Sequence, residues 1–183
     1  MQSDVDVSIH VASDLGVSPD SRVKVLVCVE GQTDIIALKA LSAALHQNDP
    51  TLPNLSDNNQ VAFVVLGGGN LKHWVNYDYL KHLGRPEIHI YDSDVPSYAP
   101  SIDAINARND GSKGFLTQKY EIESYLHSDA IFEAFGIRMT VPDHLNSEGK
   151  ATPKIFAEMY SVQQNYDGIM KDNNAKITMQ RFV

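Results

Sequence analysis

Apolar runs and amphipathic stretches alternate along this chain, and the alternation predicts its elements. Val23 and then Val25 to Val29 form a β-branched run closed by Glu30-Gly31, the pattern of a strand buried on both faces. Ile35, Leu38, Leu41 and Leu45 then recur at helical spacing, with Thr33 as the expected N-cap and Asp34 in the first turn. After a polar loop from Asp49-Pro50 to Asn59 the cycle repeats. Val61 to Leu66 reads as a second strand closed by Gly67-Gly68-Gly69. Asn70 is the expected cap of a second helix striped by Leu71, Trp74, Val75, Tyr79 and Leu83 and ended by Gly84. Glu87 to Tyr91 reads as a third strand ending in Asp92-Ser93-Asp94; a helix around Ile102 and Ile105 and a short strand over Gly114 to Gln118 follow. Beyond residue 127, short helices are expected around 129–135, 152–160 and 162–170, with Pro142 and Pro153 as breakers. This order predicts an α/β fold, a Rossmann-like, mostly parallel sheet flanked by helices with a helical C-terminal extension. The expected divisions are a polar lead-in over 1–21, the sheet domain over 22–126 and the extension over 127–183.

Composition narrows the classes. At 183 residues and 43% hydrophobic content, the chain can bury a core without disulfides or metal staples. One cysteine, Cys28, excludes a disulfide framework within the chain and a Cys-rich zinc site, so a reducing cytoplasm is the default compartment. No run approaches the roughly 20 apolar residues of a membrane span, and the acidic start lacks the basic and apolar regions of a secretory signal. Fifteen Lys and Arg against 23 Asp and Glu give a formal charge of −8, the reverse of a free-standing DNA-binding module. Bound divalent cations would change that sign locally, so the placement of the acids matters more than their number.

The acids fall at strand ends, where open α/β sheets bind ligands. Glu30 closes the first strand with Asp34 one turn on; Asp92 and Asp94 close the third; Glu121 and Glu123 lie just past the fourth. Spacing of i, i+2 would set each of the last two pairs on one side of an extended backbone. Six converging carboxylates repel one another without a cation, and hard oxygen donors suit Mg²⁺ or Mn²⁺. Taken singly, each has a plainer reading: a turn at Glu30-Gly31, a solvated loop at Asp92–Asp94, a helix start at Glu121 and Glu123. The triple glycine matches neither the dinucleotide nor the Walker phosphate pattern and reads as a tight turn. Lys72, His73, Lys81, His82 and Arg85 give the second helix local basic charge. His89, between Ile88 and Ile90, reads as a sheet histidine, and Cys28 as a small buried side chain.

Val29-Glu30-Gly31-Gln32-Thr33-Asp34, the glycine cluster after the second strand, and Tyr91-Asp92-Ser93-Asp94 together resemble the Toprim domain of topoisomerases, primases and related nucleases. Lys119-Tyr120-Glu121-Ile122-Glu123-Ser124-Tyr125-Leu126 looks like the matching segment of the overcoming-lysogenisation-defect (OLD) family of ATP-dependent endonucleases. The resemblance covers about residues 22–126. It implies a DNA nuclease using two Mg²⁺ or Mn²⁺ ions, with Glu30, Asp34, Asp92 and Asp94 binding metal or moving protons. Glu121 and Glu123 would complete the second metal position, and Glu30 is the implied acid/base. The family's downstream lysine falls on Lys154 first and Lys150 second. Tyr120 and Ser124 depart from the family's usual Arg and Asn. An ABC-type ATPase, for which this chain has no Walker motif, would be a preceding domain or a separate partner, with residues 1–21 as the join. DNA and that ATPase are the implied partners; a membrane is not, and self-association stays open.

Two other readings compete. Ile90-Tyr91-Asp92-Ser93-Asp94-Val95 also fits the start of a haloacid-dehalogenase-like phosphatase, with Asp92 as nucleophile and Asp94 as acid, although that motif belongs on a first strand. The other is a non-catalytic α/β interaction module whose acids face solvent.

Overall fold

The computed structural model describes residues 22–182 apart from 68 and 80. The expected lead-in over 1–21 and the middle of the triple glycine therefore lie outside the described residues. The chain forms two compact units, one holding 22–91 and 95–116, the other holding 92–94 and 117–182.

The first unit is a sheet of four parallel strands in the order β2-β1-β3-β4: β1 Val25–Val29, β2 Val61–Val65, β3 Glu87–Tyr91 and β4 Lys113–Leu116. The apolar run of β1 is explained by its central place, with neighbours on both edges and helices on both faces. Helix α1 (Gln32–Asn48) packs on β1, and its Lys39 ammonium lies 5.5 Å over the Phe63 ring of β2. On the face of Leu26, Cys28 and Val64, α2 (Leu71–Tyr77) and α3 (Ala99–Asn106) close the core with Leu71, Trp74, Ile102 and Ile105.

That same face carries a polar ladder on β3. His89 is fully buried; its Nε2 lies 2.7 Å from Glu87 Oε2 and its Nδ1 3.1 Å from the Tyr91 hydroxyl. Arg108 Nη1 donates to Glu87 at 3.2 Å, so the buried carboxylate has a cation. Such groups stay inside because every partner is supplied. His89 is thus the sheet histidine that its alternation with isoleucines predicts.

Several boundaries differ from the sequence pattern. Gly31, not Thr33, is the N-cap of α1, because Asp34 Oδ2 accepts the backbone N–H groups of Glu30 (3.0 Å) and Gly31 (2.9 Å). Helix α2 stops at Tyr77 instead of reaching Leu83: Asp78 turns left-handed (φ 46°), and Lys81–Leu83 form a separate 3₁₀ turn. β4 starts one residue early and ends at Leu116. No helix spans 162–170, since Asn165 is left-handed (φ 55°) just after the end of the preceding helix.

The second unit packs α4 (Ser128–Phe135), α5 (Thr152–Gln163) and α6 (Asp172–Phe182) around Ile131, Phe156, Ala157, Ala175 and Met179. Its first segment, 117–126, is not part of the sheet unit to which the sequence reading assigned it. Ile122–Tyr125 is a 3₁₀ turn that packs on α5 and α6, and Asp92–Asp94 join it through hydrogen bonds. Ser93 N–H donates to Thr117 Oγ1 (3.0 Å), and Ser93 Oγ donates to the Lys119 carbonyl (2.7 Å). Among the described residues no helix is long and apolar enough to cross a membrane.

Candidate metal centre

Three of the acids singled out by sequence meet in the second unit. One oxygen each of Asp92, Glu121 and Glu123 lies within 4.8 Å of the other two. Two local devices set this up. Asp92 Oδ1 accepts the Ile122 N–H at 2.9 Å, which ties the residue after β3 to the 3₁₀ turn. Glu121 is the extended N-cap of that turn (φ −151°, ψ 169°) and Glu123 lies in its first turn, so the pair converges across a turn and not along a strand. The carboxylates are withdrawn from water: Glu121 is 4% exposed and Glu123 1%.

The ammonium set among them belongs to Lys176 of α6. Its Nζ lies 2.9 Å from Glu121, 3.2 Å from Glu123 and 3.9 Å from Asp92. Burial alone would lower the Lys176 pKa, but the carboxylates of Glu123 and Glu121 outweigh it and hold the amine well above its usual range. Burial has the opposite consequence for Glu121, whose pKa stays above the ordinary carboxylate value despite Lys176, with Glu123 and Asp94 adding to the rise. Gln180, one turn after Lys176, donates its amide to Glu123 Oε1 at 2.6 Å. Within this cluster the buried Glu121 Oε1 and Gln180 Oε1 have no hydrogen-bond partner among the described residues.

Beside the trio opens a cavity of about 380 Å³, bordered by Asp94, Glu121, Lys150, Lys154, Asp172 and Lys176. Asp94 is exposed there. Lys150 is held by Glu158 (2.7 Å) and Glu148 (2.8 Å), while Lys154 Nζ is 4.0 Å from Asp172. Sequence reasoning pointed to these two lysines and missed Lys176. The available signal was the spacing of α6: Ala175 and Met179 are buried one turn apart, which sets Lys176 and Gln180 on the adjoining stripe.

Glu30 and Asp34 belong to the first unit. Glu30 Oε2 accepts the Tyr98 hydroxyl at 3.0 Å, and Asp34 is engaged in capping α1. No family model, curated protein or solved structure matches this chain.

The donor set fits a hard divalent cation. It offers three carboxylates, a buried carboxylate oxygen without a partner, and a neutral amide oxygen close by, all oxygen ligands.

Proposed function

We propose that this chain is a divalent-metal-dependent nuclease module that hydrolyses DNA phosphodiesters. The observation that supports it best is the convergence of Asp92, Glu121 and Glu123 on one point, with Glu121 Oε1 buried and left unused by the Lys176 ammonium that stands among them. Asp92, Glu121 and Glu123 would hold Mg²⁺ or Mn²⁺, with the Gln180 amide fixing the Glu123 rotamer. A bound ion of this kind polarises a phosphoryl oxygen and acidifies a water at neutral pH. Asp94, exposed on the cavity, is placed to meet further cations or substrate-bound water. The Toprim-like resemblance assigns proton transfer to Glu30, whose Oε2 accepts the Tyr98 hydroxyl within the first unit. The Toprim-like and OLD-like segments support the choice of DNA, a second ion, and an ABC-type ATPase as partner.

The test is cleavage of supercoiled DNA with Mg²⁺ or Mn²⁺, alone and with an ATPase of that class. Cleavage lost on Asp92→Ala, with folding retained, is the expected result. No cleavage under any of these conditions, with turnover of a small phosphomonoester through Asp92, would replace the nuclease by a phosphatase.

A further inference from the structure

Among the described residues the Lys176 ammonium stands within 4 Å of all three carboxylates and reduces their mutual repulsion. An ammonium at 2.9 and 3.2 Å from two ligand oxygens also stands where a cation shared by those oxygens would have to approach. The orphaned Glu121 Oε1 shows that the lysine leaves part of the donor set unused. Lys176 has an alternative seat on its own helix. Asp172 precedes it by four residues on α6, the acid-before-lysine order that pairs favourably on a helix face. Asp172 borders the same cavity and, among the described residues, is paired at long range, 4.0 Å, with Lys154. The Lys176 side chain is a quarter exposed and borders the same cavity as Asp172.

We propose that Lys176 is an exchangeable internal counter-ion: it neutralises the carboxylate trio when no metal is bound, and yields to a divalent cation by swinging to Asp172. The inference rests on the metal-binding reading above and specifies how that site is regulated. Lys176 stays protonated throughout, so the exchange moves charge and not protons. It has two consequences. The metal-free unit keeps its buried acids without unfolding, and cation affinity is held down by the competing ammonium. A monovalent ion, with no more charge than the ammonium it would replace, gains nothing by entering.

Mn²⁺ titration followed by electron paramagnetic resonance tests the exchange in the full chain without reference to cleavage. Lys176→Met should bind Mn²⁺ at least about tenfold more tightly than the parent protein. Asp172→Asn, which removes the second seat, should bind it several-fold more weakly. Should Lys176→Met not fold, the parent protein still decides the question. Acylation of Lys176 by an amine reagent, read by mass spectrometry, should rise several-fold when saturating Mg²⁺ is added. Mn²⁺ binding by the parent with no gain in Lys176→Met, or Lys176 labelling unchanged by Mg²⁺, would overturn the exchange and leave the metal site standing. Absence of Mn²⁺ binding in the parent and in Lys176→Met alike would remove the metal site and the exchange together.

Discussion

Gln180 and Asp34 show how much single side chains decide here. The Gln180 amide is the donor to Glu123 Oε1 at 2.6 Å, inside the second unit's interior. Gln180→Ala removes a donor from a buried carboxylate, and such a loss costs about 1–3 kcal/mol. Urea unfolding should show that drop, and it should shrink when Ca²⁺ is present to take up the released oxygen. Asp34 makes the contrasting case. Its carboxylate accepts two backbone N–H groups at the start of α1, so Asp34→Ala should cost about 1 kcal/mol whether metal is present or not. A stability loss seen only with metal would instead make Asp34 a ligand. Among the six acids, then, sequence position alone did not separate capping from clustering. Asp34 looks like Asp92 in the sequence; only the direction of its side chain, back toward Gly31, tells them apart.

At the level of elements, β1 and β3 were the most legible parts, because runs such as Val25 to Val29 have no other stable place than a covered strand. Helix α6 was the least legible. Among its described side chains, Ala175 and Met179 are the fully buried apolar positions, and its partner segment, Ile122–Tyr125, lies far back in the chain. The acids were visible, but the lysine and glutamine that meet them were not, since no local pattern links α6 to that turn. The ladder on β3 predicts a pH response. Burial, followed by the charge of Glu87, holds the Cys28 thiol well above its ordinary value of 9.0, and burial does the same to the Tyr91 phenol above 10.0. Both groups stay protonated in the fold while the unfolded chain releases their protons, so stability is intact below pH 9 and falls as pH rises beyond it. The expected slope is about 1.4 kcal/mol per pH unit from Cys28 above pH 9, doubling once Tyr91 contributes above pH 10. Unfolding free energies measured from pH 8 to 11 check this, and Cys28→Ala should delete the first part of the slope. Packing against the same face limits β4: a methyl added at Gly114 would sit 3.0 Å from Ile102 Cδ1 and 3.2 Å from its Cγ2. Gly114→Ala should therefore lower stability by about 1–3 kcal/mol in a chemical denaturation series.

For the whole molecule, the formal charge of −8 sets the terms on which DNA can be held. Two divalent cations at the acids would bring it only to about −4, because each contributes two positive charges. The basic residues of the α2 region do not reverse this. Lys72 and Lys81 are exposed, but Arg85 is engaged through its Nε with the Val23 carbonyl. In the second unit, Lys150 is paired with two glutamates and Lys176 with the trio. These paired residues are not free for phosphates, and with a formal charge of −8 counterion release, the main source of sequence-independent affinity, should be small. This chain alone should bind duplex DNA more weakly than ~10 µM at physiological salt, within or below the range of non-specific binders. Ca²⁺, which fills oxygen sites without supporting cleavage in this reading, should strengthen that binding by adding cations where the phosphate must lie. Fluorescence anisotropy with a labelled duplex, across a salt series and with Ca²⁺ or chelator, measures both effects. Weak binding that tightens with Ca²⁺ and falls with salt would place the phosphate at the acids and most of the affinity on a partner. Tight binding in chelator would show a basic surface independent of the cation, and the acids would then lose their claim to the substrate.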